Sequence, residues 1–181
     1  KNFITNNDYV TGGINLVEFS SDDLDALDKA VENLLQQVNQ EDQSLAITTI
    51  SNPEDIAKLW ELRKKSVGLL SKTKNKRRPR SGMEDTVVPP EHLAEFIGEF
   101  RALFDAKGLS YGMFGHVDAG CLHVRPALDM TDSADEDLYY ELTEQVAALT
   151  KKYGGLMWGE HGKGYRSQYV PLFFGEELYK E

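Results

Sequence analysis

Three of the four histidines in this chain fall in two glycine-punctuated segments, and both segments carry groups able to bind a metal ion or move a proton. The first reads Gly115-His116-Val117-Asp118-Ala119-Gly120-Cys121-Leu122-His123, the second Gly159-Glu160-His161-Gly162-Lys163-Gly164. A turn at Asp118 to Gly120 would pair the two flanking stretches as strands and bring His116 and His123 to neighbouring positions. Strand alternation then places Cys121, His123 and Arg125 on one face and Leu122 and Val124 on the other. Two imidazoles plus a carboxylate form a common catalytic set for a divalent metal and leave positions open for a substrate. Spacing alone leaves a second reading standing, in which these histidines only satisfy hydrogen bonds at strand ends. Arg63 also stands out, because it falls in the apolar stripe of its helix. A guanidinium there either meets an anion or packs its stem while its head reaches water. Cys121 is expected to pack rather than react, since nothing beside it except the histidines would stabilise a thiolate.

The elements that must position these groups can be read from periodicity. Ile14 to Phe19 and Leu45 to Ile50 are apolar and β-prone, which predicts two strands. Between them Leu24, Leu27, Val31, Leu34, Leu35 and Val38 recur at helical spacing after the capping hydroxyls Ser20 and Ser21. Asn52-Pro53 is a helix start, and Ile56, Leu59, Trp60, Val67 and Leu70 form the stripe that includes Arg63. Met83 to Val88 reads as a strand stopped by Pro89-Pro90. Leu93, Phe96, Ile97, Phe100, Leu103 and Phe104 make the most strongly amphipathic helix. Leu109 to His116 and Cys121 to Pro126 predict a hairpin. A long helix with Leu138, Leu142, Val146 and Leu149 inward ends at Gly154-Gly155, and Leu156 to Trp158 reads as a last strand. This order predicts an α+β fold near the ferredoxin-like plan, a mostly antiparallel sheet with helices packed on one face. No repeat or low-complexity linker divides residues 1–181, so a single domain is expected.

Composition narrows the function classes. A chain of 181 residues that is 40% hydrophobic can bury a proper core. Its net charge of -10 argues against general nucleic-acid binding. The stretch Lys72 to Arg80 opposes that acidity with six cations in nine residues. It reads either as a solvated loop or as a rim facing an acidic substrate, a cofactor phosphate or an acidic partner domain. One cysteine excludes an internal disulfide and fits a reducing compartment. A cytoplasmic location is therefore expected, with peripheral membrane association left open. No stretch is apolar enough to predict a transmembrane segment. The chain starts at Lys1 without an initiator Met and stops just after an aromatic run, as expected of a piece of a longer polypeptide.

At the two histidine segments the chain resembles the C-terminal (cap) domain of FAD-linked oxidases of the D-lactate and D-2-hydroxyglutarate dehydrogenase type. His116 to His123 looks like that family's G-H-x-G-D-G-N-L-H segment, and Gly159 to Gly164 like its G-E-H-G-x-G segment. Leu62-Arg63 resembles its substrate-binding arginine step, and Glu84-Asp85-Thr86 to Glu91 its following strand and proline. The likeness runs from about Ile14 to Tyr179 and is nearest to the large bacterial members that carry an iron–sulfur domain further on. It implies that His116, His123 and Glu160 hold a divalent metal (Zn, Mn or Fe). It also implies that His161 is the base at the substrate hydroxyl and that Arg63 holds the substrate carboxylate. Three positions depart from the family pattern. Ala119 and Cys121 replace its Asp and Asn, with Asp118 one place earlier. The lysine that some hydroxyglutarate enzymes place before the strand's Asp is absent, with Met83 or Glu84 there instead. The basic loop from Lys72 to Arg80 is a candidate replacement.

The resemblance implies oxidation of a D-2-hydroxy acid, D-2-hydroxyglutarate or D-lactate, to the 2-oxo acid. The flavin is then expected on an FAD-binding domain of the same polypeptide, because this chain shows no dinucleotide glycine fingerprint, and the fragment alone is not expected to turn over. The rival is a non-catalytic ferredoxin-like module that binds a metal or small ligand for regulation, since such folds host many functions. A zinc hydrolase fits less well, because the GEHGKG turn lacks the helical ligand spacing of those enzymes. What separates the first two readings is whether His116, His123, Glu160, His161 and Arg63 converge.

Overall fold

A computed structural model describes residues 13–42, 44–69, 76–162 and 164–180. It divides into two compact units, Lys1–Asp55 and Ile56–Glu181. In the first, helix α1 (Leu24–Glu41) is capped by Asp23, whose carboxylate accepts from the amides of Asp25 and Ala26. The cap therefore lies beyond the expected Ser20 and Ser21, and Ser21 instead accepts from the Asp23 amide at 3.1 Å. A carboxylate also suits the positive end of the helix dipole, which favours Asp at this position. Leu27, Val31, Leu34, Leu35 and Val38 are the half-buried side of α1, the stripe that the periodicity predicts. Residues 14–19 and 45–50 form no strand. Ile14, Val17, Leu45 and Ile47 stand exposed. A strand is a paired object, and β-propensity without a partner edge does not make one.

Apart from the first residues of helix α2 (Pro53–Leu69), the second unit holds the rest of the fold. Helix α2 starts as expected, with the Asn52 side chain accepting from the Glu54 amide at 2.8 Å. Strands β1 (Arg78–Pro79), β2 (Thr86–Val87), β3 (Tyr111–His116) and β4 (Cys121–Leu128) form one open antiparallel sheet. Central β4 has β3 along one side, and β1 and β2 at opposite ends of the other. Helix α3 (Leu93–Asp105) follows β2, and α4 (Ser133–Lys152) follows β4. Leu156 then meets Val87 in an isolated antiparallel bridge, where a full strand was expected. The succession from β2 to this bridge is β-α-β-β-α-β, and the α+β class is borne out. Short helices α5 (Val170–Phe174) and α6 (Glu176–Lys180) complete the chain.

The core explains why the sheet is rigid where the site sits. Phe96, Phe100 and Phe104 recur every fourth residue of α3, are fully buried, and stack edge-on at 5.6 and 5.1 Å. They pack with Leu122, Val124 and Leu128 of β4 and with Leu142, Val146 and Leu149 of α4. Burial of each phenylalanine contributes about 1.5–3 kcal/mol. With the apolar residues of β4 committed to this core, its alternate residues must point to the opposite face.

The described part of the basic stretch is used by the fold itself. Arg77 reaches the buried carboxylate of Asp135 with two hydrogen bonds of 2.8 and 2.6 Å, and the Asp129 amide adds a third at 2.8 Å. Arg80 donates to the Leu128 carbonyl at 3.3 Å. Residues 72–75, where the rest of that basic stretch falls, lie outside the described residues. The Asp129 amide and then Arg77 hold the Asp135 carboxyl below the usual carboxylate range. Arg77 is half-exposed, so solvent screens its share. A depressed folded-state pKa stabilises the protein above the unfolded value of about 3.8, and that contribution is lost as pH falls through the folded one. Asp135→Asn is therefore expected to cost about 1–3 kcal/mol at neutral pH. The gap from wild type should close as pH drops below about 4. Thermal melting of both proteins between pH 3 and 7 checks this, and a gap that stays constant with pH would contradict it.

Candidate functional site

The face of β4 turned away from the core carries Cys121, His123 and Arg125, as strand alternation predicts. His123 is almost completely buried and stacks on Phe114 of β3, with ring centroids 4.9 Å apart. Phe114 is its direct cross-strand partner, whereas His116 pairs with Cys121. His116 and His123 are thus diagonal neighbours with rings 6.0 Å apart. The hairpin turn runs through residues 117–120. Gly120 has φ of 65°, and a Cβ there would lie 1.9 Å from the Val88 carbonyl oxygen, so only glycine closes this turn against β2.

The second segment reaches the same face from the far end of the sequence. After the Leu156 bridge the chain continues as Gly159-Glu160-His161, whose backbone amides bond Asp85. There one oxygen, Oε1 of Glu160, lies 2.8 Å from Nε2 of His123 and 3.4 Å from Nε2 of both His116 and His161. The His161 ring stacks on His123 at 4.9 Å and 21°. From α2, Arg63 brings its guanidinium within 3.4 Å of His116 Nε2. All five residues singled out in the sequence therefore meet at one place. Beside His161 a cleft of about 180 Å³ opens, bounded by Glu84, Arg166 and several glycines.

Burial separates the members of this group. His116, Glu160 and His161 are 38%, 45% and 50% exposed, whereas His123 is 1% exposed. Burial pushes the His123 pKa down, helped by the His161 charge and opposed by the Glu160 carboxylate. The neutral imidazole favoured in this way is the form that ligates metals. Its Nδ1 is buried and has no hydrogen-bond partner among the described residues. Three imidazole nitrogens around one carboxylate oxygen, with one ring desolvated and neutral, form a donor set that fits a divalent cation of the zinc, manganese or iron type. The Cys121 thiol is pushed up to about 11, first by burial and then by the charges of Asp85 and Glu160. It is kept as S–H, in line with a packing role.

Two residues at this site were not singled out in the sequence. Asp85 is fully buried, and Arg166 nearly so. Asp85 accepts from the backbone amides of Glu160 and His161 at 2.9 and 3.0 Å. The Arg166 guanidinium bonds the Glu84 carbonyl and lies 3.4 Å from Asp85. Ligand atoms of Asp85, His123, Glu160 and His161 lie within 4.8 Å of one another. An acid inside the apolar run Met83 to Val88 was a signal for Asp85, but Arg166 carried none. Glu84, its neighbour, pairs with Arg125 at 2.8 Å.

The same chain, compared with known proteins, matches the model of the C-terminal domain of FAD-linked oxidases over residues 4–181. It belongs to that family. The match covers both histidine segments and Arg63, so the expected family resemblance is borne out. The domain is similar to the D-2-hydroxyglutarate dehydrogenase of Escherichia coli (strain K12), 51% identical over 174 residues. It is 49% identical over 174 residues to the enzyme of that name from Pantoea ananatis. Each alignment covers 93% of this chain and 17% of the relative. A D-lactate dehydrogenase of Archaeoglobus fulgidus is 31% identical over 97 residues, 54% of this chain and 20% of the relative. This FAD-linked oxidase domain thus spans 17% of the length of the hydroxyglutarate dehydrogenases it matches. Among its described residues no helix is long and apolar enough to cross a membrane.

Proposed function

We propose that this chain is the substrate-side cap of a flavoprotein that oxidises a D-2-hydroxy acid, D-2-hydroxyglutarate or D-lactate, to the 2-oxo acid. The observation that carries the reading is the meeting of His116, His123, His161 and Glu160 around one oxygen, with the Arg63 guanidinium 3.4 Å from His116. In this reading the FAD-binding domain belongs to the same polypeptide. The domain's 17% share of its relatives' length leaves room for that part and for an iron–sulfur domain. The single cysteine suits a cytoplasmic protein.

Removing two electrons from a 2-hydroxy acid requires loss of the hydroxyl proton and of hydride from C2. FAD, when bound, supplies the hydride acceptor. A divalent metal, when bound, supplies Lewis acidity that eases loss of the hydroxyl proton. His116, His123 and Glu160 are the residues that would hold it. Arg63 binds the substrate carboxylate through paired N–H groups, and this fixes the direction of the C2–H bond. His161, half-exposed at the cleft, takes the hydroxyl proton. The His161 ring stacks on the buried His123 ring, with centroids 4.9 Å apart, which orients it at the cleft.

The test is anaerobic mixing of the purified full-length flavoprotein with D-2-hydroxyglutarate, D-lactate and their L-enantiomers, followed by flavin absorbance. Bleaching by a D-2-hydroxy acid is expected. A protein that binds metal yet is reduced by none of these acids would instead be a ligand-binding module. Metal analysis tests the ligand set separately. His123→Ala is expected to lose most of its metal, and unchanged content would remove His123 from the set.

A further inference from the structure

We propose that Asp85 is a positioning residue that fixes the Glu160–His161 turn by filling all four acceptor positions of its carboxylate, and that it is not itself a metal ligand. This rests on the reading of His116, His123 and Glu160 as the ligands. Distance alone would add Asp85 to the set, because its ligand atom lies within 4.8 Å of those of His123, Glu160 and His161. The hydrogen bonds argue otherwise. Oδ1 accepts from the Glu160 amide at 2.9 Å and from the Cys121 thiol at 3.8 Å. Oδ2 accepts from the His161 amide at 3.0 Å and from the Arg166 guanidinium at 3.4 Å. A carboxylate offers about four lone-pair sites, so none is left for an ion unless a donor is released. Arg166 is buried with it, and releasing its Nη2 would leave that donor unsatisfied, whereas the Cys121 thiol also lies 3.8 Å from His123 Nε2.

The backbone joins in the same arrangement. The Gly159 amide donates to the Asp85 carbonyl at 2.8 Å, so three consecutive amides, 159 to 161, bond to a single residue some 75 positions earlier. Asp85 is the one non-glycine residue with positive φ among the described residues, at 68°. That conformation turns its carbonyl and its carboxylate toward the same segment. Gly159 is required on the other side. A Cβ there would lie 2.7 Å from Cys121 Sγ and 3.1 Å from Asp85 Oδ1. Arg166, on the 3-10 turn Gly164–Tyr169, compensates the buried carboxylate and ties it to the Glu84 carbonyl. Partners of this kind orient the groups that do hold a metal, and losing one typically weakens binding about 10–100-fold.

Asp85→Asn tests the idea, since asparagine tolerates positive φ and keeps the volume. Its amide nitrogen must face one of the two donor pairs, so one amide of the turn loses its acceptor. The full-length flavoprotein is stripped of metal with a chelator. Hydrogen exchange of the peptide spanning residues 159–161 is then followed with near-UV circular dichroism as the folding control. Exchange about tenfold faster in Asp85→Asn is expected, from the loss of a charge-assisted bond. Arg166→Gln, which spares the amide acceptors, should give a smaller acceleration. Equal exchange in Asp85→Asn and wild type overturns the proposal. Titration with Zn²⁺ should show about 10–100-fold weaker binding in Asp85→Asn. At saturating Co²⁺ the d–d bands of Asp85→Asn should match wild type. Altered bands would make Asp85 a ligand and overturn the proposal. If His123→Ala binds Zn²⁺ like wild type while exchange still accelerates in Asp85→Asn, the ligand reading falls and the clamp stands.

Discussion

Replacing His161 by glutamine in the full-length flavoprotein is expected to lower kcat by about 10²–10⁴-fold, the usual worth of a positioned base. Glutamine preserves bulk and hydrogen bonding but cannot take a proton. The geometry favours this position over the other imidazoles. His123 is buried on the site face of β4 against Phe114, and His116 faces Arg63. His161 is half-exposed on the cleft, with its amide pinned by Asp85 and its ring stacked on His123. The measurement is the rate of flavin reduction in single turnover, alongside metal content. A large loss of rate with metal retained supports the base. Loss of metal together with rate would make His161 a ligand, which its place in the four-donor cluster makes a real competitor. A variant that keeps more than half the wild-type rate removes both roles.

Arg63→Ala is expected to lower kcat/KM by about 10²–10³-fold, equivalent to roughly 3–4 kcal/mol of transition-state binding. Arg63 lies on the half-buried stripe of α2 with Ile56 and Leu59. Its side chain is therefore directed rather than free to sweep through solvent. Removing it withdraws the planar fork that matches a carboxylate. Arg63→Lys keeps the charge without the fork, and it should recover only part of the loss. Added guanidinium should partly rescue Arg63→Ala while leaving Arg63→Lys unchanged. Metal content should stay at the wild-type level in both. A kcat/KM within threefold of wild type for Arg63→Ala would remove the carboxylate role.

The parts of the fold that proved legible are those with a local cause. The Phe96, Phe100 and Phe104 stripe appears in the helix it predicts, because a 3.6-residue period is set within a few turns. The hairpin holding His116 and His123 follows from two alternating stretches around a glycine turn. The strands read at residues 14–19 and 45–50 did not form, and the one at Leu156 shrank to a bridge. Each needed a neighbouring edge that no local pattern can guarantee. The shift of the α1 cap to Asp23 is of the same kind, a choice among several polar residues within a few positions.

By itself the sequence determined which residue types were present to do chemistry, their spacing within each segment, and the side of β4 on which Cys121, His123 and Arg125 fall. Only the tertiary structure decided that segments nearly forty residues apart deliver their imidazoles to one Glu160 oxygen, and that Asp85 and Arg166 hold them there. The reason is physical. Alternation and helical period are fixed by bonds between near neighbours. The meeting of distant turns is fixed by which core the apolar faces fill, and by which buried donors then need an acceptor.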